Sequence, residues 1–93
     1  MNANIEAEWD LENGFLGKLR AGDFDRATCQ RLLETLSKVE PEGTLDRDFV
    51  RLVWYIPIFM EWNRERVAAD SLKDYEKAAN KILAEVERIL GIP

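Results

Sequence analysis

Val53 to Trp62, VWYIPIFMEW, decides how the chain is read, because it could be a strand, part of a helix or a fragment of a membrane segment. Only Glu61 in it carries a formal charge, and Pro57 stands in the middle of four aromatic side chains. Wound at helical pitch, about 100° per residue, the run separates into two lines. Val53, Ile56, Phe59 and Met60 form one line with Leu45, Phe49, Leu52 and Val67. Trp54, Ile58 and Trp62 stand on the other, four residues apart, with Tyr55 beside them and Arg51 one turn earlier. The first line keeps its register across Pro57, which predicts one kinked helix over 45–68 rather than two strands, with a break into two helices at Pro57 as the alternative. A proline there leaves the Val53 carbonyl without its helical donor.

The same period organises the rest of the chain. Ile5, Trp9, Leu16 and Leu19, widened by Leu11 and Phe15, predict a helix over 4–20, although Gly14 and Gly17 weaken it and Asn13-Gly14 is a competing turn signal. A second helix is expected over 25–39, with Asp25 as N-cap, Phe24 as a hydrophobic staple onto Cys29, and Ala27, Leu32, Leu33, Leu36 and Val39 inward. Pro41 and Gly43 should end it. A fourth helix is expected over 71–90. Ser71 and Asp74 resemble a capping box, Leu72, Tyr75, Ala79, Ile82, Val86 and Ile89 form the seam, and Gly91 is the C-cap. Four amphipathic helices joined by short breaks predict an all-α, antiparallel up-down four-helix bundle in one domain.

Composition narrows the function. In 93 residues, 13 basic against 18 acidic side chains give a net charge of −5, which argues against nucleic acid or an acidic membrane surface as partner. Residues 1–25 hold six acidic side chains against two basic, so Glu6, Glu8 and Asp10 are read as an acidic surface that could steer toward a basic partner. Cys29 is the only cysteine, so no intrachain disulfide is available and a reducing cytoplasm fits best. The opening MNANIEAEWD has neither the basic nor the apolar region of a signal peptide. The longest uncharged apolar run, Leu52 to Met60, falls well short of the roughly twenty residues that span a bilayer.

Histidine is absent, which removes the usual general base and the commonest metal ligand. No phosphate loop, dinucleotide fingerprint, calcium loop or nucleophile elbow occurs. Gly14 and Gly17 form a GxxG string without the context of a phosphate site, and are read as packing positions. Lys73, Lys77 and Lys81 form a stripe read as a solvated face. Neither an enzyme nor a cofactor is therefore expected. Two polar residues fall on predicted core lines: Glu12 among Ile5, Trp9, Leu16 and Leu19, and Asn63 beside Leu45, Ile56 and Val67. Each either bonds to a neighbouring helix or lines a small pocket.

Three covers are open for the Trp54, Ile58, Trp62 line: another helix of the same chain, a second copy, or a different protein. The leading expectation is a non-catalytic interaction protein that meets a macromolecule through its acidic start and aromatic third helix. In size, charge and composition, though in no motif, it is similar to small acidic bacterial proteins that neutralise a toxin. A structural or regulatory homodimer is the alternative, and a small-molecule-binding bundle the third.

Overall fold

The computed structural model describes residues 5–40 and 47–91, and the fold is all-α. Four α-helices occupy these residues: α1 (Phe15–Arg20), α2 (Arg26–Ser37), α3 (Arg47–Trp62) and α4 (Leu72–Leu90). A 3-10 turn at Glu6–Trp9 precedes α1, and two more, Arg64–Arg66 and Ala69–Ser71, join α3 to α4. The expected stops at Pro41 and Gly43 and the start of helix three at 45 lie outside the described residues. No described helix is long and apolar enough to cross a membrane.

α4 is the longest helix, and both α2 and α3 pack on it, while α1 touches α2 and α3. Its seam is the expected one: Tyr75, Ile82, Val86 and Ile89 are buried and Leu72 and Ala79 partly so. Lys73, Lys77 and Lys81 are exposed. Gly91 ends the helix at φ +87°, a backbone angle that favours glycine, and its N–H donates to the Glu87 carbonyl at 2.8 Å. The start differs from expectation. Ser71 makes no side-chain cap bond, because as the last residue of the 3-10 turn its backbone is already near helical angles instead of the extended ones a cap needs. Asp74 instead meets Arg26 of α2 at 3.1 Å.

α2 starts as expected. The Asp25 carboxylate accepts the Thr28 N–H at 2.9 Å. Hydrogen bonding from Thr28, side chain first and then backbone, holds the Asp25 carboxyl below its ordinary range, with Lys18 assisting. Its contribution to stability is therefore present above the ordinary carboxylate pKa, and lost as pH falls through the lower folded value. The buried face runs through Thr28, Cys29, Leu32 and Leu36, and Ala27 is exposed. Phe24 meets Phe15 and Tyr75 edge-on, at 6.2 and 5.2 Å between ring centres.

The first segment departs most from expectation. In place of one helix over 4–20, the chain makes the 3-10 turn, reverses over 10–13 and restarts at Phe15. The Asp10 carboxylate holds the reversal by accepting the N–H groups of Glu12 and Asn13, at 3.1 and 2.8 Å. Two former members of the supposed stripe thereby leave the core: Leu11 is 67% exposed, and Glu12 stands in solvent. Gly17 shows why the chain can fold back. A Cβ there would lie 1.8 Å from the Asp10 carbonyl oxygen, so the returning backbone occupies the space of a side chain. The GxxG string is a packing device.

α3 runs through Pro57 without interruption but stops at Trp62, short of the expected 68. Val67 is still buried, held by an extended backbone instead of a helical one.

Because Gly17 lets backbone meet backbone, Gly17→Ala should cost about 2–3 kcal/mol, as overpacking does. A urea midpoint that falls with an unchanged slope would show this. Wild-type stability would mean that residues 5–13 do not sit against α1.

Candidate interaction surface

α3 has two faces with different fates. Phe49, Val53, Ile56, Phe59 and Met60 are buried against the other helices. On the other side Trp54 is 48% and Trp62 67% exposed, with Ile58 and Tyr55 half-buried and Arg51 exposed. Another helix of the chain was one expected cover for this line, and none of the described residues supplies it.

What the chain does supply is a rigid base. Trp9, carried by the first 3-10 turn, stacks on Tyr55 at 5.8 Å and 27°, and meets Phe59 edge-on at 4.9 Å. Tyr55 then meets Trp54 and Trp62 edge-on, at 6.0 and 5.9 Å. Arg20 places its guanidinium 5.3 Å from the centre of the Phe59 ring. Five rings thus form one network with Tyr55 as its hub. Edge-to-face contacts fix ring orientation as well as burying area, so the two outer indoles are held by their inner edges. The Trp9 indole N–H is buried and, among the described residues, without a partner.

The turn that carries Trp9 is held by a buried carboxylate. Glu8 is 2% exposed, so it does not belong to the acidic surface with Glu6 and Asp10, which are exposed. Arg31 of α2 grips it from two sides, Nε to Oε2 and Nη2 to Oε1, both at 2.8 Å. The same Nη2 also donates to the Asn13 carbonyl at 2.8 Å. Glu8 Oε1 accepts the Phe15 N–H at 3.1 Å, satisfying a free donor at the start of α1. One carboxylate therefore ties the first turn to α1 and α2. The bond to Glu8 also raises the Arg31 pKa, keeping the cation charged.

The far end of α3 is closed by side chains. Asn63 is buried as expected, but its amide donates to the Phe59 carbonyl at 2.8 Å, and the Asn63 N–H donates there too. The Tyr75 hydroxyl donates to the Met60 carbonyl at 2.6 Å, and burial pushes the phenol pKa up. Asn63 is thus a C-terminal cap of α3 and Glu12 a solvated side chain, and neither brings a polar atom to a common pocket. Between α3 and α4 lies a groove of about 280 Å³, flanked by Pro57, Glu61, Arg64, Glu76 and Leu83. Arg64 bonds to Glu76 across it.

Cys29 is buried, and desolvation pushes its thiol up to about 11. That matches a small core side chain and not a nucleophile. Among the described residues, no three His, Cys, Asp or Glu side chains group as metal ligands.

Comparison with known proteins gives no family model, no curated protein and no solved structure that matches this chain.

Sequence reasoning missed Glu8, Arg31 and Trp9 as a unit, since their assembly depends on the reversal at 10–13. The one available signal was Asn13-Gly14. Two variants should separate the partners of the ion pair. Arg31→Met leaves Glu8 buried and uncompensated and should cost about 3–5 kcal/mol. Glu8→Gln keeps an acceptor for Phe15 and releases a half-exposed arginine to water, at about 1–2 kcal/mol. Urea titration yielding the reverse order would contradict this geometry. The Cys29 thiol should resist Ellman's reagent at mildly alkaline pH while the chain is folded and react on unfolding; rapid reaction of the folded chain would contradict its burial.

Proposed function

We propose that the protein is a non-catalytic protein-interaction module, and that it binds through the outer face of α3. The observation that carries this reading is the pair of indoles, Trp54 and Trp62, left 48% and 67% exposed on one aromatic network. Such rings bury a large area at little cost in side-chain freedom, and here their inner edges are already fixed. Trp, Tyr and Arg are the residues that most often dominate binding energy, and Trp54, Tyr55, Trp62 and Arg51 are grouped here. Glu6, Asp10 and Glu12 supply exposed negative charge at the start of the chain. That charge is the feature a basic partner would use, as in an immunity- or antitoxin-like inhibitor.

The frame for this surface is, on our reading, an antiparallel up-down bundle with α3 bent at Pro57. Support comes from α2 and α3 both packing on α4, and from the N–H that Pro57 lacks. A reducing cytoplasm suits the single buried thiol.

A photo-crosslinking residue at position 62, in cells of the native host, tests the function. It should yield a discrete protein adduct, whereas the same residue at position 73, on the solvated side of α4, should yield none. No adduct at 62, or equal adducts at both positions, would overturn the reading.

A further inference from the structure

We infer that the occupant of the α3 face is a second copy of the same chain, paired antiparallel about Ile58. This rests on the reading of that face as the interaction surface and assigns the face to a second copy, leaving the acidic start of the chain as the feature for a basic partner. The argument is the order of residues along the face. Trp54 and Trp62 stand four residues before and after Ile58, and Arg51 and Glu65 stand seven before and after it. On α3 these offsets correspond to about 6 Å for the two indoles and about 10 Å for Arg51, whereas Glu65 lies beyond the helix end, in the 3-10 turn Arg64–Arg66. Ile58 is half-buried between two exposed indoles, so an axis through it sets Ile58 on Ile58 and each Trp54 beside the other copy's Trp62.

Charge gives the face a direction. Its early end carries Arg47 and Arg51 and its late end Glu61, while the turn after α3 adds Glu65 together with Arg64 and Arg66, all exposed. Asp48 lies 3.9 Å from Arg51, and Arg64 is drawn away to Glu76 on α4. A two-fold axis at Ile58 sets the basic end of each copy against the acidic end of the other. Parallel pairing would instead set arginine on arginine and glutamate on glutamate, which is unfavourable. A purely basic or acidic partner would satisfy only one end. A second copy satisfies both, which is what a self-complementary two-fold interface requires.

Area sets the strength. The exposed parts of Trp54 and Trp62 on two copies amount to roughly 500 Å² of ring surface. A specific interface needs about 1,200 Å² or more, so Ile58, Tyr55 and the charged ends must supply the rest. An interface of this size is of the weak, reversible kind, so the pairing is to be followed across the micromolar range.

Sedimentation velocity across that range tests the pairing, with circular dichroism confirming that each surface variant folds. Wild type should approach twice the chain mass at high concentration. Arg51→Glu and Glu65→Arg should each weaken the dimer at least several-fold. Their equimolar mixture should restore it, because each mismatched end then meets its complement, and so should R51E/E65R in one chain. A dimer indifferent to both changes, or a mixture that stays monomeric, would overturn the pairing. A monomeric wild type would overturn it too, and acrylamide quenching of Trp9→Phe chains then separates the two readings. Freely quenched Trp54 and Trp62 would leave the face open to a different protein, whereas shielded indoles would overturn the interaction reading as well.

Discussion

The structure depends first on Glu8 and Arg31. A carboxylate that is 2% exposed has lost its water, and two guanidinium bonds at 2.8 Å with a backbone N–H replace it. The arrangement is asymmetric, since the Arg31 side chain remains half exposed. Such a pair adds less net stability than its Coulomb attraction suggests, because desolvation opposes it. Its larger effect is to specify where the chain goes. With Glu8 anchored, residues 5–13 can lie only across α1, where Gly17 makes room for the Asp10 backbone. Trp9, the next residue, is thereby delivered to Tyr55 on α3.

That delivery links the fold to the candidate surface. Tyr55 is clamped between an inner ring and two outer ones, so the outer indoles inherit order from a turn nearly fifty residues away in sequence. The helix ends follow the same principle of long-range satisfaction. Tyr75 of α4 takes the Met60 carbonyl, and Arg88 of α4 takes those of Leu36 and Val39 at 2.9 and 3.1 Å. α4 thus closes the C-terminal ends of both helices that pack on it. These bonds hold the helix ends together as one unit, because each lost partner would leave a carbonyl without its donor.

Much of this was readable in advance. The seam of α4, the Asp25 cap, the Gly91 stop and the division of α3 into two lines all follow from helical periodicity and local chemistry. The errors share one cause. Leu11 and Glu12 were assigned to a helical face that ends before them, and Glu8 to a surface it does not reach. Each assignment assumed one continuous helix from 4 to 20. The competing signal, Asn13-Gly14 after Asp10, is local and weak. What decides between them is a distant arginine and the room that Gly17, lacking a side chain, leaves for the Asp10 backbone. The overextension of α3 to 68 is milder, since Val67 is buried either way.

By itself the sequence determined the helical class, the two-sided pattern of α3 and the absence of histidine, because spacing and composition are local properties. It also determined the order of Arg47, Arg51 and Glu61 about Ile58, which any helix over those residues would display. Tertiary structure alone decided that the first segment folds back, that Glu8 is interior, that Asn63 closes a helix and that Trp54 and Trp62 remain in solvent. Each of those outcomes turns on which distant groups can satisfy a buried charge, a free carbonyl or an open ring face, and periodicity carries no information about that.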